Sequence, residues 1–189
     1  MGASFVGDSI LALAGTKCKT VIFVGSVGGL KGDMRIGDIV IPKYSICGEG
    51  FSRYLEQDFK DCFGVKYYPN KQLTEKIYNY AKAMSNGKVS IHLGKTYSAD
   101  TILAEYMNLN RIKEFECDCI EMETSAFYKA TSYMKLKATA ILMVLDNTYD
   151  KKPLFTELCE NDKILKMNSK FNLIPNILIR TIEDISKDI

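Results

Sequence analysis

Histidine is nearly absent from the sequence, and the cysteines do not come in CxxC pairs. The 189 residues include one histidine and six cysteines. Without CxxC pairs or a second histidine, the chain lacks the donor set of a typical zinc site. We therefore expect no bound metal. We interpret the cysteines as reduced thiols of a cytoplasmic protein, because disulfides persist mainly in oxidising compartments.

An excess of charge of either sign is also lacking. Lysine and arginine together number 25 against 23 acidic residues, which leaves a net charge of +2. Such a balance gives no reason to expect nucleic acid as a partner. No apolar run is long enough to span a bilayer, and the apolar residues 10–14 follow Asp8 without a basic region before them, unlike a secretory signal. We expect neither nucleic acid nor a membrane among the partners.

The two standard nucleotide-binding loops are missing as well. The stretch VGSVGGL at 24–30 matches neither GxxxxGK[ST] nor GxGxxG. It follows the apolar run TVIF, so we predict a strand over 20–25 that enters a glycine-rich turn. Backbone N–H groups of such a turn can bind an anion. A purely structural turn is the alternative, since glycine suits tight backbone geometry.

Apolar strands alternate with amphipathic helices along the chain. We predict strands at 20–25, 38–42, 44–47, 88–97, 117–122 and 138–145, and helices at 4–15, 71–84, from about 101, at 123–134 and at 163–185 with a break at Pro175. We find no linker or internal repeat. The pattern predicts one α/β domain over residues 1–189, a three-layer αβα sandwich with a central mixed, mostly parallel sheet.

Unusual polar residues follow three of the predicted strands, at 25–26, 121–123 and 146–147. Ligands of open α/β sheets collect at the carboxyl ends of strands. The glutamates of EMET can hold vicinal sugar hydroxyls, or they can simply favour a helix N-terminus. Asp146 ends the most apolar strand. It can be a general acid with a raised pKa, or it can form an Asx-type turn.

Six motifs together resemble the nucleoside phosphorylase/nucleosidase superfamily, which includes purine nucleoside phosphorylases, uridine phosphorylases and methylthioadenosine/S-adenosylhomocysteine nucleosidases. In chain order they are GSVGGL (25–30), MRIGDIVIP (34–42), EGFSRY (49–54), YSAD (97–100), EMET (121–124) and VLDN (144–147). Each motif is weak by itself, but their order is that of the family and they cover nearly the whole chain.

The resemblance implies a role for the residues at the strand ends. Asp146 is then the acid that protonates the imidazole nitrogen of the leaving purine. Glu121, Met122 and Glu123 bind the ribose, and Ile102 occupies the place of a base-stacking phenylalanine. Such groups act where charge develops as an N-ribosidic bond breaks. The resemblance further implies no cofactor, a small-molecule nucleoside as substrate, and a homo-oligomer, either a dimer or a hexamer.

The nucleophile pocket departs from the family pattern. By resemblance, Gly25 and Ser26 belong to the pocket for the attacking phosphate or water. Phosphorylases of the family carry an arginine where this chain has Phe23, and a phenyl ring offers phosphate no donor, which favours hydrolysis. Against this, EGFSRY resembles a phosphorylase-type loop, and Arg53 or Arg35 is an alternative source of positive charge for phosphate. Leu145 replaces the serine that usually precedes the catalytic aspartate.

The beginning of the chain departs as well. Relatives have several further strands before the first helix, and residues 1–4 resemble the interior of the family's G-M-G-x-x-S turn, so the domain is expected to be N-terminally shortened. We expect phosphorolysis of a purine-type nucleoside to free base and ribose 1-phosphate, with phosphate as co-substrate. The alternatives are a hydrolytic nucleosidase of the methylthioadenosine/S-adenosylhomocysteine type and a degenerate, non-catalytic nucleoside-binding protein.

Overall fold

A computed structural model describes residues 2–148 and 157–187. The strands are β1 (Thr20–Gly29), β2 (Ile39–Gly48), β3 (Lys66–Tyr67), β4 (Ile91–Ala99), β5 (Cys119–Glu121) and β6 (Lys137–Asn147). The helices are α1 (Ala3–Leu11), α2 (Lys71–Ser85), α3 (Ile102–Lys113), α4 (Thr124–Tyr133), α5 (Glu160–Asn168) and α6 (Ile174–Ser186). Short 3₁₀ turns lie at Ser52–Leu55 and Gln57–Phe59.

The strands form one mixed sheet in the order β3-β2-β4-β5-β1-β6. The long pairings, β1 with β6 and β2 with β4, are parallel, as the alternation of strands and helices predicted. β5 runs antiparallel to β1, and the start of β2 also pairs with β6. The sheet therefore curls back on itself while remaining the central mixed layer that the sequence predicted.

Helices cover the sheet on both faces and create three apolar clusters. α1 and α4 pack on one face, where Val6, Phe127 and Leu142 are buried. α2 and α6 cover part of the other face, and α3 packs on another part of it, where Ile112 and Ile120 belong to one apolar cluster. The layers match the predicted sandwich.

Local sequence signals account for several helix boundaries. The side chain of Asn70 accepts a hydrogen bond from the N–H of Leu73 at 3.0 Å and so caps α2, and Asn86 ends that helix in the left-handed region. The predicted break lies just before Pro175: a π-helical turn covers residues 169–173, and α6 begins directly after it. Proline lies in the first turn of α6, where its missing N–H is tolerated.

All six cysteines are free thiols, and four of them are buried. Within residues 2–148 and 157–187, no helix is both long and apolar enough to cross a membrane.

Candidate active site

The glycine-rich stretch is a strand and not a turn. We predicted that the first strand ends near Gly25, but β1 continues to Gly29 and pairs with β6 throughout. The predicted turn was wrong because this backbone is engaged in the sheet. Successive side chains of a strand point to opposite faces. Gly25 and Ser26, which we assigned to one pocket, therefore face opposite sides of the sheet.

Gly25 lies on the side covered by α4, beneath the ring of Phe23. A Cβ at Gly25 would lie 2.8 Å from that ring, so glycine makes room for it. The ring centroid of Phe23 is 5.5 Å from that of Phe127 on α4. Phe23 is thus part of the apolar core, and its side chain provides no donor for an anion.

Ser26 lies on the opposite, more open side of β1. Its side chain is exposed, and its neighbour on the same face, Val24, is 45% exposed. Gly28 follows on that face, opposite Asp146 of β6 and Ile120 of β5. A Cβ at Gly28 would lie 3.2 and 3.3 Å from the two carboxyl oxygens of Asp146. Glycine at this position leaves the space that the Asp146 carboxyl occupies.

An irregularity in β6 directs Asp146 to this face. The pairing changes from Val27 with Val144 to Gly28 with Asp146, so Leu145 is an extra residue in β6. Such a bulge changes the direction in which the following side chain points. Burial raises the pKa of the Asp146 carboxyl to about 6. A carboxyl in this environment retains its proton more readily and can donate it to a bound group.

α3 brings a second carboxyl to the same face of the sheet. Glu105 lies on the helix stripe of Leu109 and Ile112, and both of these pack in the cluster that contains Ile120. Burial, and to a smaller extent the charge of Asp146, raises the pKa of Glu105 to about 7. Glu105 was not among the predicted site residues, although an acidic residue on an apolar helix stripe is a signal that could have identified it.

Glu121 points away from this face of the sheet into the protein interior. One carboxylate oxygen accepts hydrogen bonds from the Glu123 and Thr124 N–H groups at 2.7 and 2.6 Å. The other accepts from the hydroxyls of Ser98 and Thr124. Burial raises the pKa of Glu121 to about 7 although these hydrogen bonds lower it. We predicted a sugar contact for Glu121, but its carboxylate is directed inward, where it fixes the start of α4.

Met122 and Glu123 form the connection between β5 and α4, and both are partly exposed. One carboxylate oxygen of Glu123 accepts a hydrogen bond from the N–H of Gly2 at 2.7 Å. The start of α1 therefore lies beside this predicted sugar-binding group. Ile102 is the first residue of α3 and is 47% exposed, one turn from Glu105.

The described residues contain no group of three histidine, cysteine, aspartate or glutamate side chains arranged to hold a metal ion. What they present is an open sheet face with a serine hydroxyl and two carboxyls of raised pKa, beside the connection that contains Glu123. This arrangement can protonate a leaving group.

The chain belongs to the phosphorylase superfamily, because a family model of that description matches residues 3–170. The sequence motifs predicted this family.

Curated relatives are purine nucleoside phosphorylases of the DeoD type. The protein of Listeria welshimeri is 25% identical over 131 residues, which are 69% of this chain and 53% of that protein. The protein of Buchnera aphidicola is 24% identical over 135 residues, or 71% of this chain and 55% of its own length. This chain thus spans about half the length of the curated relatives it matches.

Solved structures share the fold at low sequence identity. A uridine phosphorylase from Vibrio fischeri aligns with a TM-score of 0.76 at 20% identity, over 94% of this chain and 70% of its own. A methylthioadenosine/S-adenosylhomocysteine nucleosidase from Campylobacter jejuni gives 0.74 at 15% identity, over 97% and 78%. Both confirm a mixed sheet flanked by helices.

Proposed function

We propose that this protein cleaves the N-ribosidic bond of a purine-type nucleoside by phosphorolysis, giving free base and ribose 1-phosphate. The observation that carries the proposal is the Asp146 carboxyl, seated against Gly28 with its pKa raised to about 6 by burial. Breaking the bond leaves negative charge on the base and positive charge on the sugar. A protonated carboxyl at the base neutralises the first charge as it develops.

The remaining residues take roles around that acid. Glu123 holds the sugar hydroxyls and opposes the positive charge of the sugar, and Met122 packs beneath the sugar. The hydroxyl of Ser26, on the same face as Asp146, donates to the attacking phosphate. Ile102 borders the base. Membership of the superfamily and the relatives named above support this proposal, and no cofactor takes part in it.

Hydrolysis is the second candidate, and one observation favours it. Phe23 occupies the place of the phosphate-binding arginine, and its ring is packed against Phe127 in the core. Water needs no cationic partner, whereas phosphate is bound most strongly by a guanidinium fork. Phe23 by itself therefore favours water as the nucleophile, and Arg35 or Arg53 is the alternative source of positive charge for phosphate.

Release of base from inosine, adenosine and methylthioadenosine, with and without phosphate, tests the proposal. Release that requires phosphate supports phosphorolysis, and release without phosphate supports hydrolysis. If no base is released, titration calorimetry with the same nucleosides decides between a binding protein and no nucleoside site. The last outcome would contradict the proposed function.

We also propose a homo-oligomer. The outer side of α3, beside the proposed site, exposes Leu103, Tyr106 and Met107 at 68%, 83% and 75%. Large apolar side chains clustered on a surface are typical of an interface. Sedimentation velocity over a range of concentrations measures the mass, and a monomer at all concentrations would contradict this proposal.

A further inference from the structure

Glu49 is a buried carboxylate that the proposed reaction does not use. It follows β2 directly and is 7% exposed. One of its oxygens accepts hydrogen bonds from the N–H groups of Phe51 and Ser52 at 2.6 and 3.1 Å. The other accepts from the Ser125 hydroxyl at 2.9 Å and from the Ser52 hydroxyl. A buried carboxylate needs such donors to offset the loss of water. These donors belong to the loop after β2 and to α4.

The first connection from Glu49 leads through α4 to the backbone of Glu123. Ser125, whose hydroxyl is bound by Glu49, donates its N–H to the Ser98 hydroxyl at 2.9 Å. Ser98 in turn donates to Glu121, and Glu121 accepts the N–H of Glu123 at 2.7 Å. Every residue in this series of hydrogen bonds, from Glu49 to Glu121, is buried. The backbone of Glu123 is therefore held by a continuous set of hydrogen bonds that begins at Glu49.

The second connection leads through α1 to the side chain of Glu123. Glu49 fixes the backbone of Phe51, whose ring lies directly over Gly7 of α1 and leaves no room for a Cβ there. The same helix begins after Gly2, whose N–H donates to the Glu123 carboxylate at 2.7 Å. The position of α1 against the loop thus helps to set the position of that carboxylate.

We propose that Glu49 is a positioning residue for Glu123, holding its backbone through α4 and its carboxylate through α1 so that the site selects nucleosides with an intact sugar diol. The proposal rests on the proposed function, in which Glu123 holds the sugar hydroxyls. A carboxylate that accepts two hydrogen bonds from a diol must be placed accurately, because hydrogen bonds weaken steeply with poor geometry.

The first test is the selectivity of Glu49→Gln for a riboside over the matching 2′-deoxyriboside. The amide N–H₂ group would face N–H or O–H donors in place of one oxygen, so the network loses an acceptor. We expect the ratio of kcat/KM values to fall about tenfold, the effect of one hydrogen bond to a charged group. In the background of Glu123→Gln, adding Glu49→Gln should leave the ratio unchanged, because the positioned group is already gone.

Asp38→Asn is the matched control. Asp38 lies immediately before β2, at the opposite end of that strand, and is 3% exposed. It accepts hydrogen bonds from the N–H groups of Arg35 and Ser90 at 2.9 and 2.8 Å. Its substitution should lower the melting temperature as Glu49→Gln does, but leave the riboside selectivity as in the wild type. If the ratio of kcat/KM values for riboside over 2′-deoxyriboside fell equally in both variants, a positioning role for Glu49 would be overturned.

Hydrogen exchange gives a second readout that does not depend on turnover. In Glu49→Gln, the amides of Glu123 and Thr124 should exchange about tenfold faster than in Asp38→Asn at matched global stability. Unchanged exchange at these amides would overturn the proposal even if selectivity changed. If the wild type neither cleaves nor binds nucleosides, the proposed function fails, and the exchange rates alone decide whether Glu49 holds Glu123.

Discussion

The two faces of the sheet surround a carboxyl group in different ways, because Glu121 is buried and Asp146 is only partly buried. On the face covered by α4, Glu121 is surrounded by hydroxyls and N–H groups that donate to it. On the opposite face, the Asp146 carboxyl lies against Gly28, on the same side of the sheet as the exposed Ser26. Burial raises the pKa of both, to about 7 for Glu121 and about 6 for Asp146.

The difference shows that a raised pKa by itself does not identify a catalytic acid. Glu121 has its oxygens committed to the start of α4, so loss of its carboxylate would leave several donors unpaired. Asp146 has an environment that favours the proton and an open side that a substrate can reach. The first carboxyl fixes structure, and the second is available for chemistry.

Replacing Asp146, the carboxyl on the open face of the sheet, should have the largest effect on turnover. For Asp146→Asn we expect base release to fall about 10²- to 10⁴-fold, the range for loss of a general acid. Thermal stability should not decrease, because the substitution removes a charge that is partly withdrawn from water. Steady-state rates with the best nucleoside measure the change, and Asp33→Asn, on an exposed turn, is the control. Undiminished release by Asp146→Asn would refute the acid role.

Replacing Glu121, the carboxyl on the face covered by α4, should mainly lower the stability of the protein. Glu121→Ala leaves the donors at Ser98, Glu123 and Thr124 without their acceptor, so we expect the free energy of unfolding to fall by about 3 to 5 kcal/mol. Urea denaturation measures it. Glu160→Ala, whose side chain is 82% exposed, should change stability by less than about 0.5 kcal/mol. A loss below about 1 kcal/mol at Glu121 would show that the internal network is not needed.

The contact between Gly28 and the Asp146 carboxyl can be altered without replacing Asp146. In Gly28→Ala the new methyl group meets the carboxyl at 3.2 Å, so the carboxyl must shift by a few tenths of an ångström. We expect kcat/KM to fall about tenfold, because catalytic groups tolerate little displacement, while the protein remains folded. Circular dichroism checks the fold, and kinetics checks the rate. An unchanged rate would mean that the fit between Gly28 and Asp146 has no importance for catalysis.

The pH dependence of stability gives the smallest effect. Asp146 has an ordinary pKa of 3.8 when unfolded and about 6 when folded, so the native state binds the extra proton between these values. Its contribution therefore makes the protein less stable as pH rises from about 4 to about 6, with the cost fully present above that range. A shift of about two pKa units corresponds to about 3 kcal/mol without solvent screening. Because the carboxyl is partly exposed to solvent, we expect the wild type to lose on the order of 1 kcal/mol across this range relative to Asp146→Asn. Urea denaturation at several pH values measures the difference, and parallel curves would contradict it.

Much of the fold could be predicted because its signals are local. The apolar run at 138–145 and the helix stripe at 71–84 correspond to β6 and α2 within a few residues. The glycine-rich stretch was misread because glycine and serine favour turns in isolation. Here the partner strand β6 keeps them extended, so that Gly25 accommodates the Phe23 ring and Gly28 accommodates Asp146.

The candidate site was predictable only in part for a related reason. The order of motifs indicated the family and singled out Asp146 and Glu123, but spacing along the chain does not say which face a side chain takes after a bulge. Glu105 was missed because its importance comes from the packing of α3 over Ile120. Glu49 belongs to the EGFSRY motif, but its role was missed because it depends on the contact with Ser125 of α4, which is distant along the chain.

The sequence alone determined the fold class, the family and the strand ends at which polar residues collect, because hydrophobic periodicity and short motifs are properties of neighbouring residues. Only the tertiary structure decided which carboxyl is enclosed and which lies on the open face of the sheet. It also joined the N–H of Gly2 to the carboxylate of Glu123, which lies 121 residues away. Such contacts depend on how helices pack on a twisted sheet, and that geometry is set by the whole chain at once.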